Sequence, residues 1–395
     1  MILKTLLRQG RVPLISVRIH GWASAVSAPS FAASFSSNSS SSSHGHVPVL
    51  LHEAVALWAG DTSRTSSGDR WFVDGTVGFG GHSRALLTRC DDARLLCVDR
   101  DAEVLAMAKA NLREFGDRVV FQQGSYVDVA RHLAAAGFPT GGGVHGVLVD
   151  LGANSFHFDQ AQRGFSLQHD GPLDMRFDQR GGGATAADVL NTHSEVQLTK
   201  IFRDFGEERL AKEFAKAVVR DRDEKQLVFR STRDLKECIE RIARKWQRGT
   251  PSKGGARAKA GGTAPQPKPK ATMHPATRCF QALRIYVNEE LQHVEDGVRA
   301  LANELAPGGR LVTIAFHSLE DRPIKTLFRK LDNQGRSDDD DNDDDDDSEG
   351  LFGLQTEDDS DDEERQLTHA KRFRLTKRKA LKPTAEEMAR NPRSR

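Results

Sequence analysis

The chain has 395 residues, of which 37% are hydrophobic and 29% charged, and its formal net charge is +1. That length and apolar content suffice for one large or two ordinary domains with a real core, and the lack of any apolar run near the roughly 20 residues needed to cross a bilayer excludes a membrane-spanning helix. The small net charge conceals a segregation: seventeen acids and no lysine or arginine lie between Asp338 and Glu364, so the remainder stands at +18 and favours a polyanionic partner, RNA or DNA first.

Residues 1–43 contain Lys4, Arg8, Arg11 and Arg18, no acid, and a close of "SFSSNSSSSS". A basic, serine-rich, acid-free start has the composition of an organelle transit peptide, expected to be disordered. Arginines mixed with apolar residues from the first turn favour the mitochondrial matrix, with the plastid as the alternative.

Residues 44–156 alternate between strand and helix chemistry. "WFVDG" (71–75), "RLLCVDRD" (94–101), "RVVFQQG" (118–124) and "GVLVDLG" (146–152) are short apolar runs ending in polar or glycine residues. Segments of helical period, "AEVLAMAKANLREF" and "YVDVARHLAAAG", separate them. Strand and helix at this spacing predict a parallel sheet with crossover helices, an α/β fold.

From 157 to 275 the pattern is helical, as in "SEVQLTKIFRDFGEERLAKEFAKAVVRDR", and a Gly-, Pro- and Lys-rich stretch over 248–273 reads as a flexible basic loop. Strand chemistry returns within 276–334 at "GGRLVTIAFHSLED". One sheet domain interrupted after its fourth strand by a helical insert accounts for this order. Residues 335–366 hold the acidic run, which cannot bury enough apolar surface to fold, and 367–395 form a basic segment whose "KRFRLTKRK" suits phosphate contacts.

Cys90, Cys97, Cys238 and Cys279 show no CxxC spacing, which points to reduced thiols and to no metal site.

Four glycines in seven residues, Gly75, Gly78, Gly80 and Gly81, follow the first strand, where a sheet of this kind binds ligands at a helix N-terminus. The dinucleotide pattern G-x-G-x-x-G is not met, because Ser83 stands at its third glycine. Asp99, ending the second strand, is spaced to hold both hydroxyls of a ribose, or else to cap the helix that starts near Ala102. Asp150 ends the fourth strand beside the same crevice. It can serve cofactor binding alone, or also hold the N–H of an incoming nucleophile. No acid or base for hydride transfer can be assembled, which disfavours a nicotinamide enzyme.

The ordered blocks "HVPVLLHEAV", "DGTVGFGGHSRALL", "VDRDAEVL", "LVDLGANS", "RGFSLQHDGPLDMRFD", "FGEERLAKEFAKAVV", "HPATRCFQALRIYVNEEL" and "LAPGGRLVTIAFHSLEDR" together resemble the RsmH (MraW) family of S-adenosylmethionine-dependent methyltransferases. The likeness runs from about His46 to Lys330 and resumes at "LTKRKALKPTAEEMARNPRSR". It implies a class I, Rossmann-like methyltransferase sheet with an inserted helical domain, acting on cytosine N4 of small-subunit ribosomal RNA. The RNA would be free or in a partly assembled subunit, with the target base turned out of its stack.

Carried over position by position, the family's cofactor contacts fall on Gly80, Gly81, His82, Asp99, Tyr126, Asp150 and His157, with Asp150 also the candidate catalytic residue. Tyr126 stands where a phenylalanine is usual and His157 where bacterial members have glutamine. "DGPLDMR" (170–176) either lines the mouth of the site or forms an internal salt-bridged turn, and of Arg278 and Arg284 one is free to meet phosphate while the other pairs with Glu289 or Glu290. His317 either touches the target base or is a satisfied histidine at a strand end. Family members usually continue into a further apolar strand, so an unpaired sheet edge is expected here, and with it the alternative of a catalytically weak, RNA-binding assembly factor.

Overall fold

A computed structural model describes residues 12–18, 48–60, 68–249, 274–333, 373–375 and 383–391. These fall into two compact units. A sheet unit comprises residues up to His20, Gly45–Gly152 and Leu291 onward, and a helical unit spans Ala153–Glu290. The insert boundaries read from sequence, 156/157 and 275/276, therefore differ from the observed junctions at 152/153 and 290/291. Of the basic loop expected over 248–273, the first two residues end a helix and 250–273 lie outside the described residues, as does the acidic run at 335–366.

Among the described residues seven strands make the sheet: β1 (Val12–Arg18), β2 (Arg70–Asp74), β3 (Ala93–Asp99), β4 (Val119–Gln123), β5 (Val144–Asp150), β6 (Leu305–Ala315) and β7 (Phe373–Leu375). Their order is β4-β3-β2-β5-β6-β1-β7, and every paired neighbour is parallel. From β2 the chain steps outward through β3 and β4, then returns to the other side of β2 for β5 and β6. The order thus reverses between β2 and β5, and the carboxyl ends of those strands flank the crevice where such sheets bind ligands.

Helices α1 (Leu51–Ala59), α2 (Gly81–Arg89) and α3 (Ala102–Asn111) supply residues to one core layer, and α4 (Val129–Ala135), α11 (Glu290–Asn303) and α12 (Ser318–Asn333) to the other. The strands alternate between these layers with period two. Phe72, Leu95, Cys97, Leu148, Val312 and Ile314 join the layer with Trp58 and Leu86, whereas Val73, Leu96, Val98, Val147, Val149 and Leu311 join Val298 and Ile324. Burial on both faces is why the strands read as apolar runs rather than as alternating ones. Gly146 permits the close seat of α1: a Cβ there would stand 2.7 Å from the Trp58 carbonyl oxygen and 2.9 Å from the Phe72 ring.

Two strands fall in segments read otherwise from sequence. Val12–Arg18, inside the leader expected to be disordered, is β1, and it runs parallel to β6 with Leu14 opposite Leu311 and Val17 opposite Ile314. Phe373–Leu375, inside the basic C-terminal segment, is β7, and its ladder partner is β1. The outer side of β6, which would be bare if a strand were missing, is therefore lined. The same C-terminal segment also folds into α13 (Ala385–Arg390), where the Glu387 carboxylate accepts the Leu50 N–H at 3.2 Å and Asn391 Nδ2 donates to the Pro48 carbonyl at 3.4 Å.

The helical unit contains α5 (Ser155–Asp159), α6 (Ala186–Thr192), α7 (Glu195–Asp204), α8 (Ala211–Asp223), α9 (Thr232–Gly249) and α10 (Thr277–Val287). Its core gathers Leu198, Phe202, Phe214, Phe229, Ile239 and Leu283. The long helical run expected from Ser194 to Arg222 is broken at Gly206 and Glu207, where Glu207 takes a left-handed φ of 48°. At Gly206 a Cβ would stand 2.6 Å from the Phe202 and Arg278 carbonyl oxygens, so the turn packs against α10 too closely for a side chain.

Candidate cofactor crevice

β2 ends at Asp74, the chain turns through Gly75 to Gly80, and α2 begins at Gly81. Gly78 and Gly80 hold positive φ of 54° and 80°, conformations that disfavour any side chain. A Cβ at Gly80 would stand 2.9 Å from Leu112, whereas one at Gly78 would meet only the Thr76 carbonyl oxygen, at 4.0 Å. The loop is therefore packed from below at Gly80 and roomy at Gly78.

Carboxylates set its shape. Asp99, at the end of β3, accepts the Gly78 N–H at 3.0 Å through one oxygen and the Asp101 N–H at 3.0 Å through the other. The helix-capping alternative for Asp99 is answered by its neighbour, since Asp101 caps α3 by accepting from the Glu103 and Val104 amides. Each Asp99 oxygen has a second lone pair, the capacity that a ribose diol requires. Burial pushes the Asp99 carboxyl up to about 7.

Asp74, which the sequence reading did not single out, is 2% exposed. It accepts the Ser83 hydroxyl at 2.6 Å and the Thr76 N–H at 3.2 Å. Burial raises its carboxyl to about 6. Ser83 replaces the third glycine of the dinucleotide pattern because the buried Asp74 needs a donor there. An aspartate closing the first strand two residues before a threonine and nine before a serine was the available signal.

Asp150 closes β5, its N–H donating to Thr76 Oγ1 at 2.6 Å. Its carboxyl oxygen Oδ1 is buried without a hydrogen-bond partner. Burial, then the negative charges of Asp74 and Glu320, push its carboxyl well above the usual carboxylate range. His82 lies nearby, with Nδ1 4.0 Å from Asp150 Oδ2, but this is no ion pair. The other ring nitrogen faces the Val49 carbonyl at 3.0 Å, and burial lowers the imidazole to about 4, so the ring is neutral near pH 7 with Nε2–H as donor and Nδ1 as the lone-pair nitrogen.

Tyr126 follows β4 and is 6% exposed. Its Cβ would lie 3.1 Å from a Cβ on Gly75, and its ring lies against Gly297 of α11, where a side chain would collide with it. Gly80, Gly81, His82, Asp99, Tyr126 and Asp150 thus all belong to the sheet unit, around the carboxyl ends of β2, β3, β4 and β5. His157 belongs to the helical unit. There it closes the capping box of α5, with Nδ1 accepting the Asn154 N–H at 3.2 Å, and its ring packs 5.1 Å from Phe165 and 4.9 Å from Phe177.

The open alternatives for other residues resolve locally. In "DGPLDMR", Arg176 makes a two-pronged pair with Asp174 at 2.8 and 2.9 Å and Asp170 pairs with Arg233 at 3.1 Å, so this is an internally bridged turn. Arg284 pairs with Glu290 at 2.7 Å, both buried, while Arg278 is partly exposed and donates to the Glu207 carbonyl. The four cysteines are buried free thiols.

Chemically the crevice is an acidic, desolvated pocket rim. Among the described residues no lysine or arginine pairs with Asp74, Asp99 or Asp150, and Asp150 keeps an unsatisfied acceptor. Uncompensated buried carboxyls are costly, and a cation relieves that cost. S-adenosylmethionine fits on three counts: a sulfonium and an ammonium to meet the acids, a ribose diol to meet Asp99, and a chain that needs the room over Gly78.

The comparisons agree with this chemistry. The MraW methylase family matches residues 43–338. A protein called ribosomal RNA small subunit methyltransferase H from Leptospira biflexa is 42% identical over 73% of this chain and 84% of its own. One of the same name from Pseudarthrobacter chlorophenolicus is 38% identical over 89% of this chain and 92% of its own. A solved geranyl diphosphate methyltransferase in complex with SAM is 20% identical over 29% of this chain and 42% of its own, with a TM-score of 0.20, a likeness too slight to bear on fold or ligand. With a match across most of its length and an acidic crevice fitted to S-adenosylmethionine as cofactor, the chain belongs to the MraW methylase family.

Proposed function

We propose that this protein transfers a methyl group from S-adenosylmethionine to the exocyclic N4 of a cytidine in small-subunit ribosomal RNA, in the mitochondrial matrix or, as the alternative, a plastid. The carrying observation is Asp150: a carboxyl at the end of β5 with a buried, unsatisfied oxygen beside the glycine loop. Bound in the crevice, S-adenosylmethionine supplies an electrophilic methyl group. Asp99 would hold the ribose, the Gly80–Gly81 turn and His82 would admit and line the cofactor, and Tyr126 would offer a ring surface. The names of the relatives support ribosomal RNA as the acceptor. The +18 balance outside the acidic run supports a polyanionic partner.

A cytosine amine is a weak nucleophile, because its lone pair is shared with the ring. An acceptor that holds its N–H orients that lone pair and stabilises the charge that grows on nitrogen during attack. Asp150 is suited to this once a cation in the crevice favours its ionised form. The test is methyl transfer from labelled S-adenosylmethionine to organellar small-subunit RNA and to the partly assembled subunit, followed by nucleoside mass analysis. The full chain is used, because Val12–Arg18 is part of the sheet. N4-methylcytidine at one position is expected. RNA binding without product on either substrate would replace the enzyme with an assembly factor.

A further inference from the structure

Where the strand order reverses, one side chain joins the two strands that flank the crevice. The main-chain ladder between β2 and β5 runs to the Gly75 N–H, which donates to the Leu148 carbonyl at 2.8 Å. β2 has ended at Asp74, and beyond Gly75 the chain turns away into the glycine loop. The next amide of β5 on this side, that of Asp150, is accepted instead by the Thr76 hydroxyl oxygen at 2.6 Å. A side chain thus stands where a regular parallel ladder places a main-chain carbonyl.

Thr76 is itself fixed. Its N–H donates to one Asp74 oxygen at 3.2 Å, and the other Asp74 oxygen accepts the Ser83 hydroxyl at 2.6 Å. Three hydrogen bonds in series therefore run from α2 through Asp74 and Thr76 to the main chain of Asp150. On its other side the same stretch is held by β6, whose Ile314 carbonyl accepts the Leu151 N–H at 3.0 Å. Among the described residues, Thr76 supplies the only hydrogen bond from the glycine loop to Asp150.

We propose that Thr76 is a positioning residue, its hydroxyl setting where the Asp150 carboxyl stands relative to the glycine loop. This rests on the role given to Asp150 above and deepens it. The Asp150 side chain leaves the main chain at the atom next to the bonded nitrogen, so a shift of that nitrogen carries the carboxyl with it. Methyl transfer is sensitive to such a shift, because a misplacement of about 1 Å costs on the order of 10²-fold in rate. Threonine carries both an acceptor and a branched shape, and the two are separable: valine keeps the shape, serine the acceptor.

The experiment compares wild type, Thr76→Val and Thr76→Ser, each as the full chain. Four quantities are read: single-turnover methyl transfer to small-subunit RNA, S-adenosylhomocysteine affinity by calorimetry, thermal melting, and hydrogen exchange at the Asp150 amide of the cofactor-free protein. Expected in Thr76→Val are a rate lower by about 10²-fold and faster exchange at Asp150. Its affinity should stay within about tenfold of wild type, the worth of one hydrogen bond. Thr76→Ser should keep the wild-type rate and protection at Asp150 while losing the stability that the methyl group contributes, so that rate follows the hydroxyl and not the melting temperature. A Thr76→Val rate equal to wild type, or a Thr76→Ser rate as low as that of Thr76→Val, would overturn the assignment while the wild type still formed N4-methylcytidine. Unchanged exchange at Asp150 in Thr76→Val would overturn it independently of activity. Absence of N4-methylcytidine with the wild type would overturn the proposed reaction, and the exchange readout would still decide whether Thr76 holds Asp150.

Discussion

The Ser83 hydroxyl donates to Asp74 at 2.6 Å, both side chains buried, and this one bond ties α2 to the end of β2 beneath the glycine loop. Ser83→Ala leaves a buried carboxylate short of a donor, at a cost of about 1–3 kcal/mol. Thermal unfolding of the cofactor-free protein should shift down accordingly, and Ser83→Gly, the residue of the dinucleotide pattern, should do no better than alanine. Equal stability of the serine and glycine proteins would show that Asp74 does not depend on this donor.

Asp99→Ala removes the acceptor for the Gly78 amide and for a ribose diol in one step. Cofactor affinity, measured by calorimetry, should fall roughly 10–100-fold, the worth of one to two hydrogen bonds to a charged group. Unchanged affinity would remove Asp99 from the binding residues.

Asp150 is repelled by Asp74 and Glu320 in the free protein. Asp150→Asn relieves that repulsion, so the cofactor-free variant should melt higher than wild type at pH 8, by about 2–4 °C for each kcal/mol relieved, while methyl transfer is lost. A variant that melts lower would mean that the carboxyl is stabilised by a partner rather than strained.

Stability and binding should respond to pH in opposite senses. Asp74 and Asp99 keep their protons to about 6 and about 7 when folded, against 3.8 for an ordinary aspartate. The folded state binds more protons than the unfolded one between those values. Their contribution is therefore full below about pH 4 and is lost as pH rises through 6 to 7. Groups held low by their partners, among them Asp92 beside Arg70 and Glu240 beside His274, act in the other direction and only as acid approaches their own range. A cationic cofactor favours the ionised carboxyls, so its affinity should increase from pH 5.5 to 8 with protons released on binding. Calorimetry in buffers of different ionisation enthalpy reads that release, and proton uptake would contradict it.

Leu14 is paired on both sides, opposite Leu311 of β6 and Leu375 of β7. Leu14→Pro breaks a ladder bond whichever strand its N–H faces, at about 2–4 kcal/mol. The full-length variant should melt about 5–10 °C lower. An unchanged melting temperature would return the segment to the status of a dispensable leader.

Much of the sheet was legible because a parallel strand buried on both faces leaves a plain apolar run, as "LLCVD" and "VLVD" do. Asp99 and Asp150 were legible for a related reason, each closing such a run beside a glycine-rich turn. Asp74 and Ser83 were not, because a buried carboxylate and its hydroxyl donor nine residues away carry no periodic mark, and their relation exists only once α2 folds back on β2. β1 was hidden by composition: the arginines and serines around "VPLISVR" describe the whole leader, whereas seven residues suffice for a strand when a buried neighbour such as β6 offers its edge. The break between α7 and α8 was missed because the amphipathic period runs on through Gly206, and the turn there answers to packing against α10.

The place of β1 also governs when the sheet can be finished. Leu14 meets Leu311, so the earliest-made strand has its partner roughly 300 residues later in the chain. At the usual pace of synthesis, about 5–20 residues per second, it waits roughly 15–60 s for β6 to emerge. Until then the segment has no β6 to pair with. Afterwards it is enclosed between two strands, so the sheet closes only when the last third of the chain has been made.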